Sequence, residues 1–135
     1  MKQSIRSAEE INQITEQIIG CGFTVCNTLG NGFLENVYEN ALAHEIRKSG
    51  LKALQQFPVK VSYDGIIVGE YYCDLLVEDC VIVELKTVST IAQDHIAQCL
   101  HYLKATDLSV CILLNFAHPR LEIKRVVKQF PYVSG

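Results

Sequence analysis

Asp74 is followed ten residues later by Glu84-Leu85-Lys86. The tripeptide closes the β-branched run Val81-Ile82-Val83, which has the composition of a strand. Side chains alternate along a strand, so Glu84 and Lys86 project to the same side. Charged groups rarely sit inward in so apolar a segment without a task. Asp74 itself lies in the otherwise uncharged run 71–77. Two carboxylates and an ammonium at a sheet edge make a divalent-metal site with a fixed cation beside it. That equipment suits the attack of water on a phosphodiester. On this reading Asp74 and Glu84 hold Mg²⁺ or Mn²⁺, with the Leu85 carbonyl as a third oxygen. Lys86 orients or helps deprotonate the water, or stabilises charge at phosphorus. An exposed surface pair has the same spacing, so position decides between the two.

Strand register supplies the criterion. A two-residue loop at Glu78-Asp79 pairs Val77 with Cys80 and sets Asp74 opposite Val83, off the face of Glu84. The metal site therefore requires an odd-length loop or a bulge near Asp74.

The elements that must position these groups are readable from periodicity. Ser7-Ala8-Glu9-Glu10 has the form of a capping box. Ile11, Ile14, Ile18, Cys21, Val25 and Leu29 follow at helical spacing and predict a helix over 8–28. Gly20 and Gly22 weaken it by roughly 1 kcal/mol each relative to Ala, and permit close approach of another element. A second helix is expected over 33–49, with Leu34, Val37, Tyr38, Ala41, Leu42 and Ile46 inward and Gly50 as its stop. Alternation predicts a strand over 57–63, where Pro58 indicates an edge or a strand start. Asp64-Gly65 is a hairpin turn. Strands over 66–77 and 80–87, a helix over 90–105 capped by Ser89 or Thr90, and strands over 109–115 and 121–129 complete the order α-α-β-β-β-α-β-β. A helical crossover joins the strand over 80–87 to that over 109–115, so the two are expected to be parallel.

Two further groups lie on helices. Glu35 and Tyr38 are three residues apart and share a face; Glu35 would also suit the first turn of a helix through its dipole. Phe33, Leu34 and Val37 read as core. On the later helix His95, Gln98 and Tyr102 form a polar stripe. A solvated face accounts for it, and if that face looks toward Glu84 the same groups could bond a phosphate or the metal's ligands. The basic stretch Lys124-Arg125-Val126-Val127-Lys128, with Arg120, alternates as an ordinary strand exterior does.

The chain has 135 residues, 49% of them apolar, which suits one domain, 1–135, with one core. No apolar run is long enough to span a bilayer, and the N-terminus has no hydrophobic signal core, so a soluble cytoplasmic protein is expected. The six cysteines, at 21, 26, 73, 80, 99 and 111, show no CxxC spacing and read as buried thiols. A net charge of −3 argues against a nucleic-acid binder that works by charge alone, though not against an enzyme with a local basic groove.

In this order the motifs resemble the GxxExxY family of the PD-(D/E)XK nuclease-like superfamily. Gly32, Glu35 and Tyr38 spell the family's name. Asp74 with Glu84-Leu85-Lys86 resembles the superfamily core, Cys73 standing where the proline would be. Gln98 and Tyr102 are similar to the QxxxY helix of the RecB-like exonuclease branch, and Leu113-Leu114-Asn115-Phe116 to the strand after it. The resemblance spans roughly 10–128. It implies an α/β, restriction-endonuclease-like core, a mixed β-sheet flanked by helices, and Mg²⁺-dependent hydrolysis of DNA, with RNA a lesser fit. It makes Glu35 the first-helix acid, Asp74 and Glu84 the metal carboxylates and Lys86 the catalytic lysine. Gln98 and Tyr102 become substrate-positioning groups, with Tyr38 a further substrate contact. So small a chain is expected to dimerise, or to work on ends or single strands with a protein partner. Two other readings fit the residues: a non-catalytic interaction module on the same fold, and a phosphohydrolase for small phosphates, which would need a closed pocket beside Lys86.

Overall fold

The computed structural model describes residues 6–128. Its elements run α1 (Ala8–Leu29), α2 (Glu35–Lys48), β1 (Ala53–Tyr63), β2 (Ile66–Val77), β3 (Val81–Lys86), α3 (Gln93–Thr106), β4 (Val110–Asn115) and β5 (Glu122–Val127). The strands form one five-stranded sheet in the order β1-β2-β3-β4-β5. All neighbours are antiparallel except β3 and β4, which α3 connects. This is the mixed, restriction-endonuclease-like α/β fold.

Both faces of the sheet are covered. Ile14, Ile18, Tyr38, Leu42 and Ile46 of α1 and α2 pack on Leu75, Val83, Leu85, Ile112 and Leu114. Cys99, Tyr102 and Leu103 of α3 pack on Cys73, Leu76, Ile82, Cys111 and Leu113 on the opposite face. Burial on both sides explains why β3 and β4 read as continuous apolar runs rather than alternating ones. It also makes Glu84, only 3% exposed, the exception on its strand.

The ends of α1 obey local rules. Glu10 N–H donates to Ser7 Oγ and Ser7 N–H donates to Glu10 Oε1, each at 3.1 Å, closing the capping box. Gly22 meets the sheet closely: a Cβ there would lie 3.0 Å from the Leu121 side chain, whereas Gly20 faces open space. The Asp64-Gly65 turn has positive φ at both residues, as a tight hairpin of right-twisted strands requires. Pro58 sits within β1, which is an edge strand, so its missing N–H removes no bond from the sheet.

Several expected boundaries move. α2 begins at Glu35, not 33, and its N-cap Leu34 is 77% exposed; with Phe33 at 49%, these residues are surface, not core. α3 begins at Gln93, and neither Ser89 nor Thr90 caps it. Instead Ala92 N–H donates to His95 Nδ1 at 2.9 Å, so a side chain inside the helix reaches back to the cap. β1 starts earlier than alternation suggests, at Ala53. β5 ends at Val127, and the expected end at Gln129 lies outside the described residues.

Candidate active site

The β2–β3 connection settles the register. Val77 pairs with Val81, Leu76 with Ile82 and Leu75 with Val83, so the loop has three residues, Glu78, Asp79 and Cys80. Glu78 and Asp79 adopt positive φ, and the Glu78 carboxylate is held by Lys52 N–H at 2.7 Å and Arg6 Nη2 at 3.1 Å. The odd count carries Asp74 opposite Glu84. There the backbone ladder stops and the carboxylates take over. Asp74 N–H donates to Glu84 Oε2 at 2.7 Å, and Leu85 N–H donates to Asp74 Oδ2 at 2.8 Å.

A bulge-like irregularity accompanies it. Cys73 and Leu76 pack on the α3 side and Leu75 on the other, so alternation breaks at Asp74. Opposite Asp74, β1 breaks as well: Ala53 packs with α1 and α2, Phe57 with α3, and Gln56 between them has φ 52°. A non-glycine residue in the left-handed region is costly and clusters at functional positions. Gln56 Nε2 spends that conformation on two acids, donating to Glu39 Oε1 at 2.7 Å and Asp74 Oδ1 at 3.3 Å.

The two helical layers reach this gap from opposite faces. From α2, Glu35 lies where Asp74 and Lys86 act on it and the Thr87 backbone bonds it. From α3, Gln98 Oε1 accepts from Lys86 Nζ at 3.3 Å. Lys86 is held from behind too. The fully buried Asn115 takes Val88 N–H at 3.1 Å, donates to Val88 O at 2.7 Å and to Glu122 Oε1 at 2.8 Å, while Phe116 N–H donates to Lys86 O at 2.9 Å. Lys86 therefore turns its backbone toward β4. Leu85, one residue on in the alternation, turns its N–H and carbonyl toward β2, the side of Asp74.

Electrostatically the gap is crowded with negative charge. Burial pushes the Glu84 carboxyl up to about 8, reinforced by the Asp74 charge. Burial also raises Asp74, against the lowering effect of the Leu85 N–H, and the Glu39 charge adds to the rise. Glu35 is raised by burial and then by Asp74. Three acids held above their usual range by burial and by one another form a site that a hard cation would relieve. The oxygen donors fit Mg²⁺ or Mn²⁺, which are held by few carboxylates and keep several waters. Among the described residues no group of three or more His, Cys, Asp or Glu side chains is placed to hold an ion together, so Asp74 and Glu84 stand as a pair. Asp74 and Glu84 each spend one oxygen on a backbone N–H, and Glu84 Oε1 has no hydrogen-bond partner among the described residues.

The fold thus brings Glu35, Asp74, Glu84, Leu85, Lys86 and Gln98 to one place. Tyr38 does not belong there. It is fully buried, donates from its OH to Gly30 O at 2.6 Å, accepts from Phe33 N–H at 3.2 Å, and stacks on Phe116 at 4.7 Å. It braces the loop leading into α2 and cannot touch a substrate, which corrects the expectation. Tyr102 is 4% exposed, with its OH 3.4 Å from Tyr72 O, so only its rim is open. Of the basic stretch, Arg125 is drawn to Asn12 and Thr15 of α1, and Lys128 to Asp107. Sequence reasoning missed Glu39 and Gln56, and had Asn115 only as part of a motif strand, without its bracing role. The i,i+4 relation of Glu39 to Glu35 was an available signal, as was a polar Asn closing an apolar strand. Nothing local singles out Gln56.

A family model described as the PD-(D/E)XK nuclease superfamily matches residues 12–126. The chain belongs to this superfamily. PD-(D/E)XK nucleases generally use divalent metals, which is the ion class that the crowded acids here suit. Two solved structures share the fold. The crystal structure of SSO0001 aligns at TM-score 0.55 and 14% identity, over 71% of this chain and 50% of that one. An alkaline exonuclease, LHK-Exo, from Laribacter hongkongensis aligns at TM-score 0.52 and 14% identity, over 93% of this chain and 73% of that one. The chain thus spans half the length of SSO0001. No curated protein sequence matches the chain. As a PD-(D/E)XK domain it carries acids, lysine and glutamine at the divergence of β2 and β3, and no described helix is long and apolar enough to cross a membrane.

Proposed function

We propose that this PD-(D/E)XK chain is a divalent-metal-dependent nuclease that hydrolyses phosphodiester bonds in DNA, a member of the GxxExxY branch. One observation carries the reading: Asp74 and Glu84 face each other across the end of a strand ladder with Lys86 on the face of Glu84. Asp74, Glu84 and the Leu85 carbonyl are the groups that would hold Mg²⁺ or Mn²⁺. A bound ion supplies Lewis acidity and lowers the pKa of a coordinated water. Lys86 holds its ammonium beside the carboxylates, where it steadies charge developing on phosphorus or orients the attacking water. Gln98 fixes that ammonium, and Glu35 sets the charge on the far side. Gly32, Glu35 and Tyr38 support the GxxExxY assignment, the glycine with φ 115°, the acid at the site and the tyrosine bracing the loop between them. Free cysteines throughout the described residues favour action in a reducing compartment, the cytoplasm. The phosphohydrolase reading calls for a closed pocket beside Lys86, whereas the neighbouring space that Gln98 lines is a groove.

The test is cleavage of labelled single-stranded, duplex and flapped DNA by purified protein with Mg²⁺ or Mn²⁺. Cleavage is expected with the ions, absent in EDTA, and reduced by about 10²-fold or more in Lys86→Ala with thermal unfolding unchanged. If every substrate survives, the non-catalytic module becomes the better account.

A further inference from the structure

A groove of about 840 Å³ runs along α3 from Asp94 to Ala105, with β1 and Tyr71 of β2 as its opposite wall. Eleven helical steps make it roughly 16 Å long. Gln98, which accepts from Lys86 Nζ, lines it, so the groove adjoins the candidate site through that side chain. Its floor is apolar, with Val59 and Val61 on the α3 side of the sheet. Tyr71, opposite Val59 in register, is 54% exposed, with its ring 6.3 Å from that of Tyr102. Lys104 and His101 stand on the helix wall. Asp94 is the acid of the groove, and its carboxylate accepts from His95 N–H at 3.0 Å.

We propose that this groove is a track for single-stranded DNA, with bases stacking on Tyr71 and the phosphate chain passing between Lys104 and the Lys86–Gln98 pair. The inference rests on the nuclease reading above and names the form of its substrate. Charge separates the alternatives. Duplex is gripped chiefly through its phosphates and needs many cations. This chain carries a net charge of −3, and the groove offers two lysines, Lys60 and Lys104, against Asp94. An apolar trough with an exposed aromatic ring and sparse positive charge instead suits bases that are unpaired and free to turn toward the protein. Its length accommodates a handful of nucleotides; Lys104 stands near the Ala105 end of the helix wall, Lys60 on the β1 wall, and Gln98, which accepts from Lys86, part-way along. The backbone of the strand is thereby led to Lys86 at the gap between β2 and β3.

The experiment is fluorescence anisotropy of a short labelled oligo(dT), its duplex counterpart and oligo(U), in EDTA so that no strand is cut. Cleavage in Mg²⁺ is scored separately. Oligo(dT) is expected to bind more tightly than duplex. Tyr71→Ala should weaken it about tenfold, Tyr71→Trp should retain it, and Lys104→Glu should weaken it with a shallower salt dependence. Both positions are open to solvent, and thermal unfolding verifies that the variants are folded. Tighter binding of duplex or oligo(U), or full oligo(dT) affinity in folded Tyr71→Ala, would overturn the proposal. Tyr71-dependent binding without cleavage upholds the groove and removes the nuclease reading. Cleavage with Tyr71-independent binding does the reverse.

Discussion

Asp74 and Glu84 each satisfy a backbone donor of the other's strand. Asp74 N–H donates to Glu84 Oε2 at 2.7 Å, while the Asp74 carboxylate takes Leu85 N–H at 2.8 Å. The strands need not be held by their own ladder at this point, because side chains span the gap. The same bonds limit the freedom of both carboxylates and keep them near one another despite their shared charge. The resulting repulsion is a cost of assembling the site, and a bound divalent cation would remove it.

Stability should therefore depend on pH in an unusual direction for a carboxylate cluster. Glu84 is raised in the fold to about 8, and Asp74 and Glu35 are raised too. A raised carboxyl favours the fold when protonated, so its contribution is complete below the unfolded value of about 4.5 and is lost as pH climbs toward 8. Metal-free protein should show a melting temperature that falls across that window, by several degrees. Saturating Mg²⁺ should flatten the slope by stabilising the ionised form. Thermal melts in EDTA and in Mg²⁺ over this range check it.

Glu84→Gln should separate stability from activity. The amide keeps an oxygen for Asp74 N–H and removes a buried charge from the neighbourhood of Asp74. Unfolding in EDTA at pH 8 is expected to shift upward by about 1–2 kcal/mol, while cleavage falls by 10³-fold or more. Denaturant melts paired with turnover measure both; a destabilised variant would refute this electrostatic account.

The layers of this fold were legible because β3 and β4 are apolar on both faces and α1 is capped and periodic. The hairpin at Asp64-Gly65 was legible from two residues. The register of Asp74 was not, because Cys80 is as strand-like as its neighbours and local pattern cannot tell a two-residue loop from a three-residue one. Gln56 was invisible for a related reason. Its left-handed backbone is imposed by the opposing irregularity at Asp74 and by two acids from other elements. Phe33 and Leu34 misled because helical periodicity was extended past the true start of α2, where side chains no longer point at the sheet.

Gln56 should act as a positioning residue. Gln56→Gly relieves a φ of 52° but deletes the bridge between Glu39 and Asp74. Stability should be unchanged or higher by up to about 1 kcal/mol. Turnover should fall roughly tenfold, mostly in kcat, because the substrate does not meet this side chain. Gln56→Ala keeps the strain, loses the bridge and should be worse in both respects. Steady-state kinetics with melts on the two variants distinguish bracing from simple folding.

Tyr38→Phe should be a stability variant only. It removes the hydrogen bonds to Gly30 O and from Phe33 N–H while keeping the stack on Phe116. A loss of about 1–2 kcal/mol is expected, with KM and kcat little altered below the melting temperature. A selective rise in KM with stability intact would return Tyr38 to the substrate site.

Asp74 and Glu84 are proposed to share one divalent ion. Mn²⁺ titration followed by the electron paramagnetic resonance signal of the free ion measures this without any substrate. Wild-type protein should remove Mn²⁺ from solution with Mg²⁺ competing. Asp74→Asn and Glu84→Gln should lose that uptake while remaining folded. No uptake by the wild type, or equal uptake by all three proteins, would contradict the account.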